Sequence, residues 1–335
     1  MKTFKNLYPR IVTFENVYAA YLKARKGKRY REYTLDFTGN VEAEMWSILC
    51  DLRDKTYQPG LYHTFKVYEP KERLICAATF RDRVMHHALC NVIEPLYERS
   101  FIHDSYACRK GKGTHRALFR AWEFMRKNRY VLKCDIRKYF PSVDHNVLKS
   151  FIRKKLACAD TLWLCDMIID HGNIISEIPG RGLPIGNLTS QFFANLYLNE
   201  LDHFVKETLH ASCYLRYMDD FIIFHDSKDE LHRCRKELSY FLDTLRLKMK
   251  PGKSEIFPVK NGFEFLGFFN KLDNVRVRRD SVRRFKNRLK LMRSQYYRGL
   301  IPLETIGESI RCWSAHAAYA DSYRLRRSIM KGFAV

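Results

Sequence analysis

The feature that most constrains this chain is an acidic pair inside an aromatic, strand-forming stretch. Tyr217-Met218-Asp219-Asp220 lies within residues 212–225, where strand formers flank the two aspartates on both sides. This pattern predicts a β-hairpin with both carboxylates at its turn. Adjacent carboxylates raise each other's pKa unless a cation lies between them, and hard oxygen ligands suit Mg²⁺ or Mn²⁺. The pair by itself also fits a plain polar turn, so the rest of the chain has to decide.

Charge narrows the choice of partner. The chain has 335 residues, 46% of them hydrophobic, so it can bury a large core, and its net charge is +23. Such an excess indicates a polyanion, either nucleic acid or an anionic membrane. No apolar run approaches a membrane-spanning length and the N-terminus lacks a signal-peptide core, so we expect nucleic acid and no membrane. The ten cysteines include no C-x-x-C pair, which favours reduced, buried thiols and a cytoplasmic location.

A third carboxylate follows a separate strand. Residues 130–135 form an apolar run that ends at Asp135, followed by a turn and a helix for which Ser142 or Asp144 is the predicted N-cap. Aspartates at the carboxyl end of a strand are typical of ligand sites. The alternative role of a helix cap fits Asp144 better than Asp135.

Three stretches suit phosphate groups. Residues 61–79 predict a hairpin with Lys71 and Arg73 near its tip, where cations either protect an edge or clamp a triphosphate. The loop 104–113 contains Arg109 and two glycines, and is either a phosphate site or merely solvated. The glycine-rich loop 180–191 allows close backbone approach to a ligand and leads, through Thr189 or Ser190 as cap, into a long helix.

The C-terminal part is strongly cationic. Residues 282–296 carry an apolar stripe at helical spacing, and the opposite positions are basic. Together with the segment 312–319, which contains Trp313 and His316, this predicts a small helical domain that grips a phosphate backbone; the alternative is a solvated helical face. The candidate contacts on the helix are Arg279, Arg283, Lys286, Arg288 and Lys290.

Taken together, the three carboxylates can hold two divalent ions about 3.5 to 4 Å apart, one for an attacking 3′-hydroxyl and one for a leaving pyrophosphate. That chemistry is nucleotidyl transfer. The segments around Asp135 and around Asp219-Asp220 resemble the two catalytic motifs of reverse transcriptases, in the prokaryotic and phage group that includes group II intron and diversity-generating retroelement enzymes. The resemblance extends over residues 41–322.

The resemblance implies a role for further residues. It implies that Asp135, Asp219, Asp220 and the carbonyl of Ile136 hold two Mg²⁺ ions, with Mn²⁺ as a substitute. Lys71 and Arg73 match the cations that contact the incoming triphosphate. Phe140 is at the position of the steric gate that selects dNTPs, with core packing as the alternative. Lys253 matches a lysine that protonates pyrophosphate, although a surface lysine in a Pro-Gly turn is common.

The glycine-rich loop indicates which group of reverse transcriptases this chain resembles. Where most relatives have glutamine before the glycine, this chain has Ile185 before Gly186, with Gln191 further on, and we place all three at the dNTP site. The pattern is similar to reverse transcriptases of diversity-generating retroelements. It implies error-prone copying of an RNA template at adenines, cDNA as product, and an accessory variability protein, a small basic oligomer, as partner. An apolar contact constrains the position of a base less than a hydrogen bond does.

We therefore predict an α+β fold of the right-hand polymerase type. Residues 1–128 form an N-terminal arm and fingers, residues 129–274 a palm with an antiparallel sheet and a fingers insertion at about 146–180, and residues 275–335 a helical thumb. The alternatives are a retron or group II intron-type reverse transcriptase of ordinary fidelity, or a catalytically silent RNA-binding scaffold.

Overall fold

Helices dominate the N-terminal third. The computed structural model describes residues 3–68 and 72–332. One of these helices begins at Val41, and its apolar residues Met45, Ile48, Leu49 and Leu52, which recur at helical spacing, are all buried. The elements are α1 (Tyr8–Ile11), α2 (Phe14–Ala24), α3 (Glu32–Gly39), α4 (Val41–Arg53), the hairpin strands β1 (His63–Val67) and β2 (Arg73–Ala77), α5 (Phe80–Glu98) and α6 (Thr114–Met125).

A four-stranded antiparallel sheet follows, with helices interspersed along the chain. Its elements are β3 (Tyr130–Asp135), α7 (Tyr139–Ser142), α8 (His145–Arg153), α9 (Ala159–His171), α10 (Leu188–His203), β4 (Tyr214–Tyr217), β5 (Asp220–His225), α11 (Lys228–Thr244) and β6 (Glu255–Pro258). The strand order is β4-β5-β3-β6, so β3 and β5 are the central strands. This arrangement puts the ends of the two strands that carry aspartates side by side.

Both faces of this sheet are covered. On β5, Phe221 and Ile223 pack into a large core with the N-terminal helices and α10, whereas Ile222 and Phe224 pack into a second core with α6. Side chains of a strand alternate between faces, so a strand buried on both sides is a continuous apolar run. This is why residues 221–224 carry no polar position.

The C-terminal part contains a small sheet and a helical bundle. Its elements are β7 (Phe263–Phe265), β8 (Phe268–Asn270), β9 (Val275–Val277), α12 (Arg279–Tyr297), α13 (Leu303–Ala317) and α14 (Tyr323–Lys331). The predicted amphipathic helix is confirmed, because Phe285 and Leu289 on α12 are buried against Ile306 and Ile329. The mixture of helices and antiparallel sheets agrees with the predicted α+β class.

Helix starts were predicted with mixed success. Asp144 is the N-cap of α8, and its carboxylate accepts hydrogen bonds from the backbone N–H groups of Asn146 and Val147. The predicted cap of α10 is wrong, because Asn187 occupies that position, one residue ahead of Leu188. The Asn187 side-chain oxygen instead accepts a bond from the Ala78 N–H at 3.1 Å.

Across residues 3–68 and 72–332, no helix combines the length and apolarity that crossing a membrane requires.

Candidate active site

The acidic pair lies at the turn of a tight hairpin. Tyr217 of β4 pairs with Asp220 of β5, which leaves Met218 and Asp219 as a two-residue loop. Met218 has φ 56°, a left-handed conformation that is uncommon for a residue other than glycine. The hydroxyls of Tyr217 and Thr114, 3.0 Å apart, tie the end of β4 to α6. The hairpin expected from the sequence is therefore present.

Asp135 meets this hairpin. It is the last residue of β3 and is the register partner of Asp220 across the β3–β5 ladder. Residues that are directly opposite in an antiparallel pair have Cα atoms about 4.5 to 5.5 Å apart. The next amide, that of Ile136, donates to the Asp219 carbonyl at 3.4 Å. Two strands thus bring all three aspartates to one end of the sheet.

The carboxylates of the three aspartates repel one another. Burial, followed by the nearby charge of Asp220, raises the pKa of Asp219 to about 6, and Asp135 adds to this effect. Arg73 on β2 opposes this rise, so its guanidinium acts across the space between the β1–β2 hairpin and the aspartates. Burial also raises the pKa of Asp220, while Lys133 and Lys253 lower it. A cluster of this kind favours a bound cation.

Two lysines from one turn contact Asp135. The Nζ atoms of Lys250 and Lys253 each lie 3.5 Å from its Oδ2 atom. The Lys250 amide also donates to the Asp135 carbonyl at 2.8 Å, which fixes the turn against the end of β3. Only Lys253 was predicted. Nothing local in the sequence distinguished Lys250, because its contact with Asp135 depends on where the turn packs against β3.

The glycine-rich loop packs against the β1–β2 hairpin. The Ile185 carbonyl accepts a hydrogen bond from the Cys76 N–H of β2 at 2.8 Å. Gly186 has φ 122°, and a Cβ atom there would lie 3.0 Å from the Cγ2 atom of Ile75. The loop therefore holds β2, and with it Arg73, in place. Gln191 lies in the first turn of α10, and Lys71 lies outside the described residues.

Phe140 is joined to the same loop. It follows Lys138, whose φ of 44° turns the chain sharply after β3. Its ring meets that of Tyr139 edge-on, with centroids 5.7 Å apart, and is partly buried. The Phe140 carbonyl accepts from the Leu183 N–H at 2.9 Å. The predicted steric gate and the glycine-rich loop are thus parts of one connected structure.

The expectation for Arg109 needs correction. Its side chain is only 5% exposed and forms a bidentate pair with Glu98 of α5. Its remaining terminal nitrogen donates to the carbonyls of Ile102 and Ser105 at 2.7 and 2.8 Å. An arginine used in this way stabilises the loop 104–113 and does not present its charge to a phosphate backbone.

The α12 helix carries a set of exposed cations. The predicted contacts on this helix are all exposed, and these residues are Arg279, Arg283, Lys286, Arg288 and Lys290. Their opposite side, Phe285 and Leu289, is buried. This gives a helix with one apolar side and a broad cationic surface.

Trp313, which was predicted to contact nucleic acid, packs inside the helical bundle instead. Its ring stacks on Phe285, with centroids 4.3 Å apart and planes 3° from parallel, so it belongs to the core of the helical bundle. His316 packs on Phe268 at 4.6 Å but retains an exposed edge. Burial, with a smaller effect of His115, lowers the pKa of His316.

The three aspartates offer hard oxygen donors for a metal ion. Among residues 3–68 and 72–332, no three His, Cys, Asp or Glu side chains converge into a complete ligand group. Asp135 is instead paired with two lysines. The chemistry of the donors nevertheless fits a hard divalent cation, because the three aspartates lie at one end of the sheet and the charges of Asp220 and Asp135 help to raise the pKa of Asp219.

The chain matches a known protein family and has curated relatives. Residues 66–269 match the family described as "Reverse transcriptase (RNA-dependent DNA polymerase)". "Protein YkfC" of Escherichia coli (strain K12) is 26% identical over 273 residues, which cover 68% of this chain and 71% of that protein. "Group II intron-encoded protein LtrA" of Lactococcus lactis subsp. cremoris is 28% identical over 217 residues, covering 62% of this chain and 36% of LtrA. This chain thus spans about a third of the length of LtrA.

Among solved structures, apo telomerase from Candida tropicalis has a similar fold. The TM-score is 0.50 at 14% identity, and the match covers 66% of this chain and 49% of that chain. At this identity the similarity concerns the fold alone. It agrees with the predicted right-hand polymerase architecture.

Proposed function

Because the chain belongs to the reverse transcriptase family, whose match covers more than half of it, we propose that it is an RNA-directed DNA polymerase. It would copy template RNA into cDNA from dNTPs. The observation that carries this proposal is the register pairing of Asp135 with Asp220, beside Asp219, at one end of the sheet. We further propose the division into fingers (1–128), palm (129–274) and thumb (275–335).

The aspartates are the proposed metal ligands. Asp135, Asp219 and Asp220, with the Ile136 carbonyl, would hold two Mg²⁺ ions, and Mn²⁺ could replace them. When bound, such ions activate a 3′-hydroxyl and stabilise the leaving pyrophosphate. Lys250 and Lys253 neutralise Asp135 when the ions are absent and would turn to phosphate oxygens when they are present.

The nucleotide is proposed to bind between the fingers hairpin and the sheet. Arg73 and Lys71 would contact its triphosphate, since Arg73 already acts electrostatically on Asp219. Ile185, Gly186 and Gln191 would line the site, with the Phe140 ring against the sugar. Lys253, and now also Lys250, would donate a proton to pyrophosphate. The template–primer duplex would lie against the cations of α12.

A primer-extension assay tests the proposal. With an RNA template, a DNA primer, dNTPs and Mg²⁺, the wild-type protein should extend the primer and Asp219→Ala should not. RNA binding should persist in the variant, because the metal ligands and the cations of α12 lie on different elements. Asp273→Ala, on an exposed loop, is the control. Extension by Asp219→Ala near the wild-type level would overturn the assignment.

The biological role is a finer proposal. The Ile185-Gly186 pattern supports error-prone synthesis at template adenines for a diversity-generating retroelement, with a small basic oligomer as accessory protein. A retron or group II intron-type enzyme of ordinary fidelity is equally consistent with the relatives found. Sequencing cDNA copied from a defined adenine-rich RNA, with and without a candidate basic partner, separates the two. Errors concentrated at adenines support the first; a low, even error spectrum supports the second.

A catalytically silent RNA-binding scaffold is the remaining alternative. The intact set of three aspartates argues against it, since a scaffold has no need to keep three repelling carboxylates together. A wild-type protein that binds RNA tightly but never extends a primer with Mg²⁺ or Mn²⁺ would establish the scaffold instead.

A further inference from the structure

A buried ion pair lies directly beneath the acidic hairpin. Arg216 of β4 and Asp202 of α10 both have 0% exposed side chains, and their Nη2 and Oδ2 atoms are 2.6 Å apart. The Arg216 Nε atom also donates to Asp202 Oδ1 at 2.7 Å, which makes the pair bidentate. Buried charges are costly even when paired, so a pair in this place needs an explanation.

Arg216 also reaches the turn itself. Its Nη1 atom donates to the Met218 carbonyl at 3.1 Å and to the Asn195 side-chain oxygen at 3.2 Å. Its Nη2 atom donates to the Ser105 hydroxyl at 3.2 Å. A single guanidinium thus connects the hairpin turn with α10 and with the loop 104–113.

The bonded carbonyl belongs to the peptide unit that immediately precedes Asp219. Met218 holds φ 56°, a conformation that costs a non-glycine residue free energy and that persists only when its surroundings impose it. The bond from Arg216 fixes the plane of the Met218–Asp219 peptide. The direction of the Asp219 side chain depends on that plane.

Asp202 itself fixes the position of the Arg216 side chain. Its Oδ1 atom accepts from the Tyr214 hydroxyl at 2.7 Å as well as from Arg216, so both oxygens of the carboxylate are engaged. Asn195 is anchored by its own bond to the Ala107 carbonyl at 2.8 Å. The network has rigid supports on two elements and ends at the turn.

We propose that Arg216, locked by Asp202, is a positioning residue that holds the Met218–Asp219 turn so that Asp219 and Asp220 face Asp135. It touches neither substrate nor metal in this role. The inference rests on the proposed function, and it adds a residue that sets the geometry of the carboxylates. A displacement of about 1 Å at such a site is enough to cost roughly 100-fold in rate.

The decisive variant replaces both partners, Arg216→Met with Asp202→Asn. Exchanging a buried ion pair for neutral groups of similar volume is often tolerated, so this protein should fold with a melting temperature near the wild-type value. It lacks the bond to the Met218 carbonyl. We expect kcat to fall by about 100-fold, KM for dNTP to change less than about 2-fold, and half-maximal activity to require several-fold more Mg²⁺.

Two further variants separate positioning from stability. Arg216→Lys keeps a charge for Asp202 but cannot serve the carboxylate and the Met218 carbonyl together, so it should also lose kcat. Tyr97→Phe removes a buried bond to the Ile152 carbonyl in the large core, which involves none of the residues that bond with Arg216 or Asp202, and serves as the destabilised control. It should lower the melting temperature and leave kcat and the Mg²⁺ requirement unchanged.

The outcomes are distinct. A folded double variant, or Arg216→Lys, with kcat within about 3-fold of wild type would overturn the proposal, as would an equal loss of kcat in Tyr97→Phe. If the double variant does not fold, Arg216→Lys decides. If the wild-type protein does not extend primers, the proposed function fails; the rise in melting temperature that Mg²⁺ alone produces then tests positioning. The Mg²⁺-induced rise in melting temperature should be smaller in Arg216→Lys than in Tyr97→Phe. Equal rises in the two variants would overturn the positioning role of Arg216.

Discussion

At the scale of single residues, the site depends on charges that oppose each other. Asp219 and Asp220 are partly buried near Asp135, and burial with mutual repulsion raises the pKa of Asp219 to about 6. Lys250 and Lys253 offset part of this charge through Asp135. The acidic pair was recognisable in the sequence because its members are adjacent. The contribution of Lys250 was not, since it depends on where the turn packs.

Ile185 provides a test at this scale. Ile185→Gln introduces an amide that can hydrogen-bond near the proposed nucleotide site, so we expect adenine misincorporation to fall more than total synthesis changes. Arg73→Ala should likewise change the error spectrum more than the yield. Sequencing cDNA from an adenine-rich RNA gives both quantities.

The control is Ile178→Gln, the same substitution at an isoleucine that is 53% exposed. It should leave the error spectrum as in wild type. Unchanged spectra in both Ile185→Gln and Arg73→Ala would remove these residues from the control of fidelity.

At the scale of elements, helix ends and helix faces have separate tasks. Asp144 begins α8 and also accepts a 2.6 Å bond from Arg246, which follows α11. Its carboxylate therefore links the segment after β3 to the far end of another helix. The α12 helix has one face in the core and another covered with cations.

The ionisation of Asp144 should make the stability of the fold depend on pH. Burial would raise its pKa, but bonds from Arg246 and from the Val147 N–H outweigh this and lower it. The ionised form thus stabilises the fold above about pH 4, and this contribution is lost as the pH falls through the lowered pKa. Asp144→Asn keeps a capping side chain and should reduce the free energy of unfolding by about 1 to 2 kcal/mol at pH 7.

Urea unfolding at pH 7 and pH 3 checks this. The difference between wild type and Asp144→Asn should shrink at pH 3, whereas Asp273→Asn should show little difference at either pH. A difference that stays the same at pH 3 would contradict the role of the ionised carboxylate.

The cationic face of α12 makes a prediction about salt. Replacing Arg283, Lys286 and Lys290 by glutamine should weaken RNA binding for all sequences alike. It should also reduce the slope of log K against log salt by roughly 2 to 3, since each lost phosphate contact changes it by about 0.7 to 0.9. Binding titrations at several salt concentrations measure the slope. Lys228→Gln on α11 should leave it unchanged, and an unchanged slope in the triple variant would place the RNA elsewhere.

At the scale of the whole molecule, the helical bundle is joined to the sheet region through shared core residues. Trp313 on α13 packs both with Phe285 in the bundle core and against the core around Phe265 and Phe268. Its indole N–H is buried without an acceptor among the described residues. This residue therefore connects the two parts by packing.

Trp313 distinguishes packing from RNA contact. Trp313→Ala should destabilise the protein by about 3 kcal/mol, because it opens a cavity between two cores. Trp313→Phe keeps the stack on Phe285 and removes the unpaired N–H, so stability and RNA affinity should both stay near wild type. Chemical unfolding and RNA binding measure the two effects. A 10-fold loss of RNA affinity in Trp313→Phe at unchanged stability would show that the indole contacts nucleic acid.

Local pattern by itself determined much of this protein. The strand before Asp135, the hairpin around Asp219, the cap at Asp144 and the two faces of α12 all follow from residues that are neighbours in sequence. Only the tertiary structure decided that Arg109 pairs with Glu98, that Lys250 approaches Asp135, and that Arg216 supports the turn from beneath. The physical reason is that a charged side chain takes its role from its partners and from its burial, and both are set by segments that are distant along the chain.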